Sequence, residues 1–232
     1  MSLVRAEAPT PGGAFTPAWR SPRAWIVLLV LTIAAIAIDL GSKSVAFARI
    51  ADAPVVVDRQ DVLALKAQDP SLINQLIPRH EPVVAVPGLL NFTLVLNPGA
   101  VFGTGAGGRW FFVGFTIIAL PLALSLFAFM TRPRDHLIHG AIAMLIGGGV
   151  GNLYDRLVYA CVRDFLHPLP NLRWPFGDRG PVWPYVSNVA DAFLLVGIAV
   201  LALYILRAPS SGVPEPAAGA TTPTTPTGPA AS

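Results

Sequence analysis

Long apolar runs, broken by a few polar residues where lipid would be expected, set the pattern of this chain. The runs cover residues 24–40, 108–130, 137–153 and 186–206. A helix needs about 20 residues to cross a bilayer, with a range of roughly 17–25. The second and fourth runs meet that length comfortably. The first and third sit at the short limit and contain or adjoin polar residues. The pattern predicts a membrane α-helical fold, a four-transmembrane-helix bundle. The long segments between spans are 41–107 and 157–185. Within the first, Val83-Val84-Ala85-Val86, then Pro87-Gly88, then Leu89 to Leu96 read as strand, turn, strand. Residues 61–76 read as a short helix interrupted by Pro70. Residues 1–23 and 208–232 are rich in Pro, Gly, Ala, Ser and Thr and are predicted to be disordered tails. The first run has a rival reading as a cleaved secretory signal, with Arg20 and Arg23 before it and Ala51-Asp52-Ala53 after it. That cleavage position lies well beyond the apolar run.

Composition sharpens this picture. Charged residues are only 12% of the chain and hydrophobic ones 53%. Soluble domains carry about 25% charged residues, so too little charge remains here to coat a water-facing surface. The net charge of +3 comes from basic residues scattered at the ends of apolar runs. A nucleic-acid surface would cluster them, so none is predicted. Four spans put both tails on one side. Arg5, Arg20, Arg23, Arg132, Arg134 and Arg207 favour that side as cytoplasmic, whereas Arg156, Arg163, Arg173 and Arg179 lie on the other. The charges alone leave the orientation open.

The residues that do not belong in hydrocarbon carry the chemistry. Asp39 and Lys43 stand four apart and share a helix face. They read either as an interfacial ion pair with Lys43 snorkelling outward or as part of a buried site. Asn152, Asp155 and Arg156 follow Gly147-Gly148-Gly149, a run that costs helix stability unless backbones must approach closely. Asp155 beside Arg156 reads as a plain pair, or Arg156 faces a polar cavity. Asp191 lies inside the fourth run, and ionisable residues there usually face a bundle interior and mark function. Asp164, next to Arg163, reads alone as a loop carboxylate in a local ion pair. Cys161 is the single cysteine, which excludes an internal disulfide and a multi-cysteine metal site. It reads as a small buried residue or, with His167 as base, as a nucleophile. Neither a zinc motif, a Gly-x-Ser-x-Gly elbow nor a phosphate loop is present, and no metal or cofactor is predicted. Gly103 to Gly107 reads as a flexible lead into the second span.

Five stretches together resemble the lipoprotein signal peptidase (signal peptidase II) family. They are Asp39-Leu40-Gly41-Ser42-Lys43, Asn97-Pro98-Gly99-Ala100-Val101-Phe102-Gly103, Gly148 through Arg156, Val162-Arg163-Asp164-Phe165 and Asn188-Val189-Ala190-Asp191. They occur in the family's order relative to four spans, and the resemblance covers residues 24–206. Residues 52–81 look like an insertion in the first external loop, and the stretch between Asp164 and Asn188 looks long. Arg163 stands where the family has an apolar residue and Ser187 where it has Phe.

The resemblance implies an intramembrane aspartyl endopeptidase of the bacterial cytoplasmic (inner) membrane. It would remove the signal peptide from diacylglyceryl-modified prolipoproteins, cutting before the lipidated cysteine. Asp164 and Asp191 would be the catalytic pair, with the roles of acid and base open between them. Asp39, Lys43, Asn97, Gly99, Asn152, Asp155, Arg156 and Asn188 would bind substrate or shape the site. The strand-rich loop would form a small extracytoplasmic β-rich platform over a site near the outer face. Both termini would be cytoplasmic, the protein a monomer, and its partners lipidated prolipoproteins and membrane lipid. Two other readings compete: a small proton-coupled transporter using intramembrane aspartates, and a non-catalytic membrane scaffold.

Overall fold

The computed structural model describes residues 15–99, 108–175 and 180–207. Four of its helices are long and apolar enough to cross a membrane: Pro22–Arg49, Trp110–Met130, His136–Val158 and Val189–Arg207. Ser21 starts α1 (Pro22–Arg49) by accepting the Ala24 N–H, with Pro22 in the first turn. The helix does not stop at Leu40, where its apolar run ends. Its 28 residues span about 42 Å at 1.5 Å per residue, well over a hydrocarbon core of about 30 Å. The polar residues beyond Leu40 are answered in place: Ser42 returns its hydroxyl to the Asp39 carbonyl and Lys43 reaches the Asp39 carboxylate.

After α1 the chain forms α2 (Arg59–Gln68), capped by Asp58, and a 3₁₀ helix (Pro70–Leu76), capped by Asp69. Pro70 is where one stops and the other starts, as the sequence predicts. Strands β1 (Val83–Val86) and β2 (Leu90–Asn97) form a hairpin turning at Gly88, whose φ of +72° suits glycine. Helix α3 (Gly108–Ser125) contains Pro121 and widens into a π turn over Leu126–Met130. Helix α4 (His136–Val158) leads to β3 (Val162–Pro168), which pairs antiparallel with β2 and completes a sheet of order β1-β2-β3. The last helix, α5 (Val189–Arg207), starts later than the apolar run at Val186. Ser187 is extended and exchanges backbone hydrogen bonds with Leu166 of β3.

Helix α4 is the axis of the bundle and packs against α1, α3 and α5. Successive residues of a helix turn by about 100°, so the three glycines face three different neighbours. A methyl at Gly147 would lie 2.5 Å from Ala35 Cβ of α1, and one at Gly148 would lie 2.6 Å from the Ala190 carbonyl of α5. At Gly149 it would meet Leu120 of α3 at 3.6 Å, an ordinary contact. Two apolar clusters result. One gathers Leu28, Phe127 and Ile142; the other gathers Phe47, Val62, Leu96 and Phe165 beneath the sheet. Along α1 and α4 the buried residues between these clusters include four polar ones: Asp39, Lys43, Asn152 and Asp155. Side chains on the outer faces, such as Ile26, Val30, Ile118, Leu195 and Ile205, are exposed, as lipid-facing residues are.

This packing separates the glycines by experiment. Gly148→Ala should destabilise the protein by about 1–3 kcal/mol through overpacking, lowering its melting temperature in detergent. Gly149→Ala should be neutral or stabilising, by up to about 1 kcal/mol of helix propensity. Equal effects of the two would contradict the assigned faces.

Candidate active site

The site begins with charges that α1 and α4 bury together. Lys43 Nζ lies 2.8 Å from Asp39 Oδ2, 2.9 Å from Asn152 Oδ1 and 3.6 Å from Asp155 Oδ2. Its side chain is fully buried, so it does not snorkel outward. Asp39 Oδ1 accepts the Ala190 N–H at 2.9 Å, which ties α1 to α5. Gly151 makes room for that carboxylate, since a methyl there would overlap Asp39 Oδ2. These bonds make α1 part of the core rather than a detachable leader.

Asp155 turns to Arg163, not to Arg156. It accepts the Arg163 backbone N–H at 3.0 Å and Nη2 at 2.9 Å. Arg163 in turn lies over the Tyr159 ring, 4.3 Å from its centroid. Successive residues of a strand point to opposite faces, so Arg163 and Asp164 diverge and the local pair between them does not form. The lone Asp164–Arg163 and Asp155–Arg156 pairs conceivable from sequence are both replaced by one pair between α4 and β3.

Asp164 sits on the other face of β3. The β2–β3 register sets Val95 opposite Asp164 and Asn97 opposite Val162, so Asn97 is the diagonal neighbour of Asp164 on one face. Asn97 Nδ2 donates to Asp164 Oδ2 at 3.0 Å, while Asn97 Oδ1 accepts the Gly99 N–H at 2.9 Å. Gly99 has φ +74°, which lets the chain turn back onto Asn97. The rest of that box, from Ala100, and the Gly103–Gly107 run lie outside the described residues, as do Arg179, residues 208–232 and most of residues 1–23.

Asn188 and Asp191 form a reciprocal cap at the start of α5. The Asp191 N–H donates to Asn188 Oδ1 at 3.1 Å, and the Asn188 N–H donates to Asp191 Oδ2 at 3.2 Å. Asn188 Nδ2 then donates to Asp164 Oδ1 at 2.6 Å and to Asn152 Oδ1 at 3.2 Å. Asn152 Nδ2 donates to Asp191 Oδ1 at 2.8 Å. Two acids from different elements thus meet across one asparagine. The Leu166–Ser187 bonds hold β3 and the start of α5 side by side, which explains why Asn188 reaches Asp164.

Asp191, Asn152 and Arg156 line a cavity of about 510 Å³ whose other walls, Thr116 apart, are apolar, including Phe112, Leu120 and Gly149. Arg156 donates from Nη1 to the Asn152 carbonyl at 3.2 Å and lies over the Phe112 ring at 4.6 Å. Its Nε is buried and has no hydrogen-bond partner among the described residues.

Burial, and then the charge of Asp191, push the Asp164 carboxyl up to about 7, against the pull of the Asn188 and Asn97 amides. A carboxyl so placed holds a proton near neutral pH. Burial, with the Asp155 charge adding to it, pushes the Cys161 thiol up to about 12. The thiol is also 1% exposed, and β3 carries His167 six residues along the strand from it, which argues against the reading with His167 as its base. Among the described residues, no group of three or more His, Cys, Asp or Glu could hold a metal ion. Reading the sequence picks out Asp39, Lys43, Asn97, Gly99, Asn152, Asp155, Arg156, Asp164, Asn188 and Asp191, and the fold brings all of them together. It overlooks Phe112, which stacks on Arg156, and Lys66, which is buried beside Pro98 and Ala160.

Comparison with known proteins agrees with this arrangement. Residues 31–207 match the family described as Signal peptidase (SPase) II. A lipoprotein signal peptidase of Desulfitobacterium hafniense is 36% identical over 127 residues, covering 54% of this chain and 75% of the relative. Lipoprotein signal peptidases of Ectopseudomonas mendocina and a Methylobacterium species are 35% and 34% identical, covering 75% and 82% of those relatives and 57% and 65% of this chain. A bacterial membrane enzyme solved by the in meso method at 2.3 Å shares the fold, with a TM-score of 0.51 and 20% identity, over 86% of this chain and 97% of that one. With four spans, a small sheet and two acids joined through one asparagine, this multi-pass inner-membrane chain belongs to the lipoprotein signal peptidase (signal peptidase II) family, enzymes that process lipoprotein signal peptides.

Proposed function

We propose that Asp164 and Asp191 are the catalytic dyad of this peptidase and that it cuts diacylglyceryl-modified prolipoproteins before the lipidated cysteine. The observation that carries this reading is the shared Asn188, which donates its side-chain amide to Asp164 and its backbone N–H to Asp191. Two nearby carboxylates cannot both ionise cheaply, so they share a proton and titrate as a unit. Asp164, buried and raised to about 7, is the member that carries the proton at neutral pH. Asp191 lines the cavity and takes the part of the base in this reading.

In the proposed reaction Asp191 takes a proton from water as its oxygen bonds to the scissile carbonyl carbon. Asp164 supports the developing oxyanion and gives its proton to the leaving amine, and the C–N bond breaks. Arg156, whose Nε has no partner among the described residues, holds a peptide carbonyl without adding a third carboxylate, while Asn97, Asn152 and Asn188 position the dyad. The apolar cavity beside Asp191 takes lipid chains or the apolar part of the signal peptide, so neither need leave the bilayer. In this reading both termini lie in the cytoplasm, and the sheet, with the dyad beside it, lies at the outer face. It acts as a monomer in this reading, since the two acids and the asparagines that hold them form a connected site within a single chain.

The reading is tested by Asp164→Asn and Asp191→Asn, assayed on a lipidated precursor in detergent or proteoliposomes. Each should lose about 10²–10⁴-fold in kcat, the range of a general acid or base; full activity of either overturns the dyad. The pH profile of kcat/KM should fall on its alkaline side near pH 7, where Asp164 gives up its proton. Activity that keeps rising well above that alkaline value contradicts the proton assignment. The unlipidated precursor should be a poor substrate, and equal turnover of both forms removes the lipid-recognition part.

A further inference from the structure

The insertion at residues 52–81 contributes no group to the dyad, yet its polar side chains reach the elements that hold it. Arg59 Nη1 donates to the carbonyl of Leu157 near the end of α4. Asn74 Nδ2 donates to the Leu96 carbonyl at 3.2 Å, and the Leu96 N–H donates back to Asn74 Oδ1 at 2.8 Å. The Leu94 N–H donates to His80 Nε2 at 3.1 Å. These last contacts continue the pairing of β2 beyond the end of β1, so the strand leading to Asn97 has partners on both edges.

Lys66 is the residue of α2 placed to matter most. It is buried one turn after Val62, with 7% of its surface exposed. Its ammonium donates to the Pro98 carbonyl at 2.7 Å and to the Ala160 carbonyl at 3.0 Å. Asn97 and Val162 are the last pair of the β2–β3 ladder. Just past them β2 leaves through Pro98, and β3 arrives from Ala160. Lys66 therefore joins the two chains where backbone pairing ends. Pro98 follows Asn97, which donates to Asp164, and Ala160 opens the turn into the strand that carries Asp164. Ala160 has φ +61°, a left-handed backbone that a non-glycine residue keeps only where its surroundings hold it.

We propose that Lys66 is a positioning residue for Asp164, closing the β2–β3 ladder just beyond its last pair, and that the 52–81 segment is a brace built into the active site. The inference rests on the dyad reading above. The hydrogen bonds of Lys66 described above go to backbone carbonyls, and it acts through them, by holding Asn97 against Asp164 and by keeping the Ala160 turn in its unusual conformation.

The test uses the full chain, a lipidated precursor, and Lys66→Met alone and combined with Ala160→Gly. Lys66→Met should lower kcat about ten- to a hundred-fold, the scale of a misplaced reacting group, and leave KM near its original value. The alkaline limb of its pH profile should move upward, because a loosened Asn97 amide pulls the Asp164 proton affinity down less. Ala160→Gly should restore part of kcat in the double variant, since glycine holds the left-handed turn unaided. Gln68→Ala, on an exposed position of the same helix, should change nothing. Lys66→Met with the original kcat and pH profile below its melting temperature overturns the proposal, whatever its stability. If Lys66→Met does not fold, Lys66→Gln is read by the same criteria. Failure of both to fold overturns the proposal too, because Lys66 is then needed for assembly rather than aim. Asp164→Asn in parallel separates the two ideas: activity there removes the dyad reading, while an inactive Asp164→Asn beside an unchanged Lys66→Met removes only the brace.

Discussion

Three asparagines face the two aspartates with their NH₂ ends, and each is held that way round by a group that can only donate. An amide side chain has one acceptor end and one donor end, and either could face a neighbour. Lys43 holds Asn152 Oδ1, the Gly99 N–H holds Asn97 Oδ1, and the Asp191 N–H holds Asn188 Oδ1. The donor ends are thereby committed to Asp191, to Asp164, and to Asp164 with Asn152. Asn188 has both amide hydrogens and its oxygen in use, so its side chain is fully answered. A wrong choice would leave a buried polar group unmet, which is costly. The rest of the site follows from fixing these three orientations.

That constraint gives the outer charges a purpose. Asp39 and Asp155 face Lys43 and Arg163, two acids against two bases, within the layer between the apolar clusters. A buried ion pair is a weak source of stability by itself, because desolvation offsets most of its attraction. Here the return is geometric. Asp39 and Lys43 join α1 to α5 and to Asn152, and Asp155 joins α4 to the β3 backbone one residue before Asp164. The glycines of α4 serve the same end: Gly148 lets α5 approach and Gly151 admits the Asp39 carboxylate.

The spans were legible because an apolar run of membrane length has few other uses, and the hairpin because Pro87-Gly88 punctuates two β-branched stretches. The helix ends were harder to read. Helices α1 and α4 continue through polar residues whose partners lie on other elements, and Lys43 and Asn152 are 109 residues apart. Nothing local distinguishes a polar residue that ends a helix from one that is buried by a distant partner. The same blindness made Arg163–Asp164 look like a neighbouring pair, although strand alternation sends the two side chains apart. Lys66 left no mark at all. A lysine on a short helix ordinarily faces water, and its partners here are backbone carbonyls, which carry no side-chain signature. The site's motifs were readable through family resemblance; its wiring was not.

The two acids also arrive by different routes, and the difference suits their work. Asp164 comes on a strand, where the register to β2 and the pairing of Leu166 with Ser187 fix its backbone on both sides. It is 1% exposed, and that burial pushes its carboxyl up to about 7. Asp191 comes in the first turn of a helix, where an anion is well received and the cap supplies an N–H. It lines the cavity that Asp164 does not. One member of the pair is held by the sheet and shielded; the other is held by the helix and open to the side from which substrate would come. In the proposed dyad, an asymmetric pair of this kind would divide acid and base between its members before any substrate binds. A symmetric pair would need the substrate to make that choice.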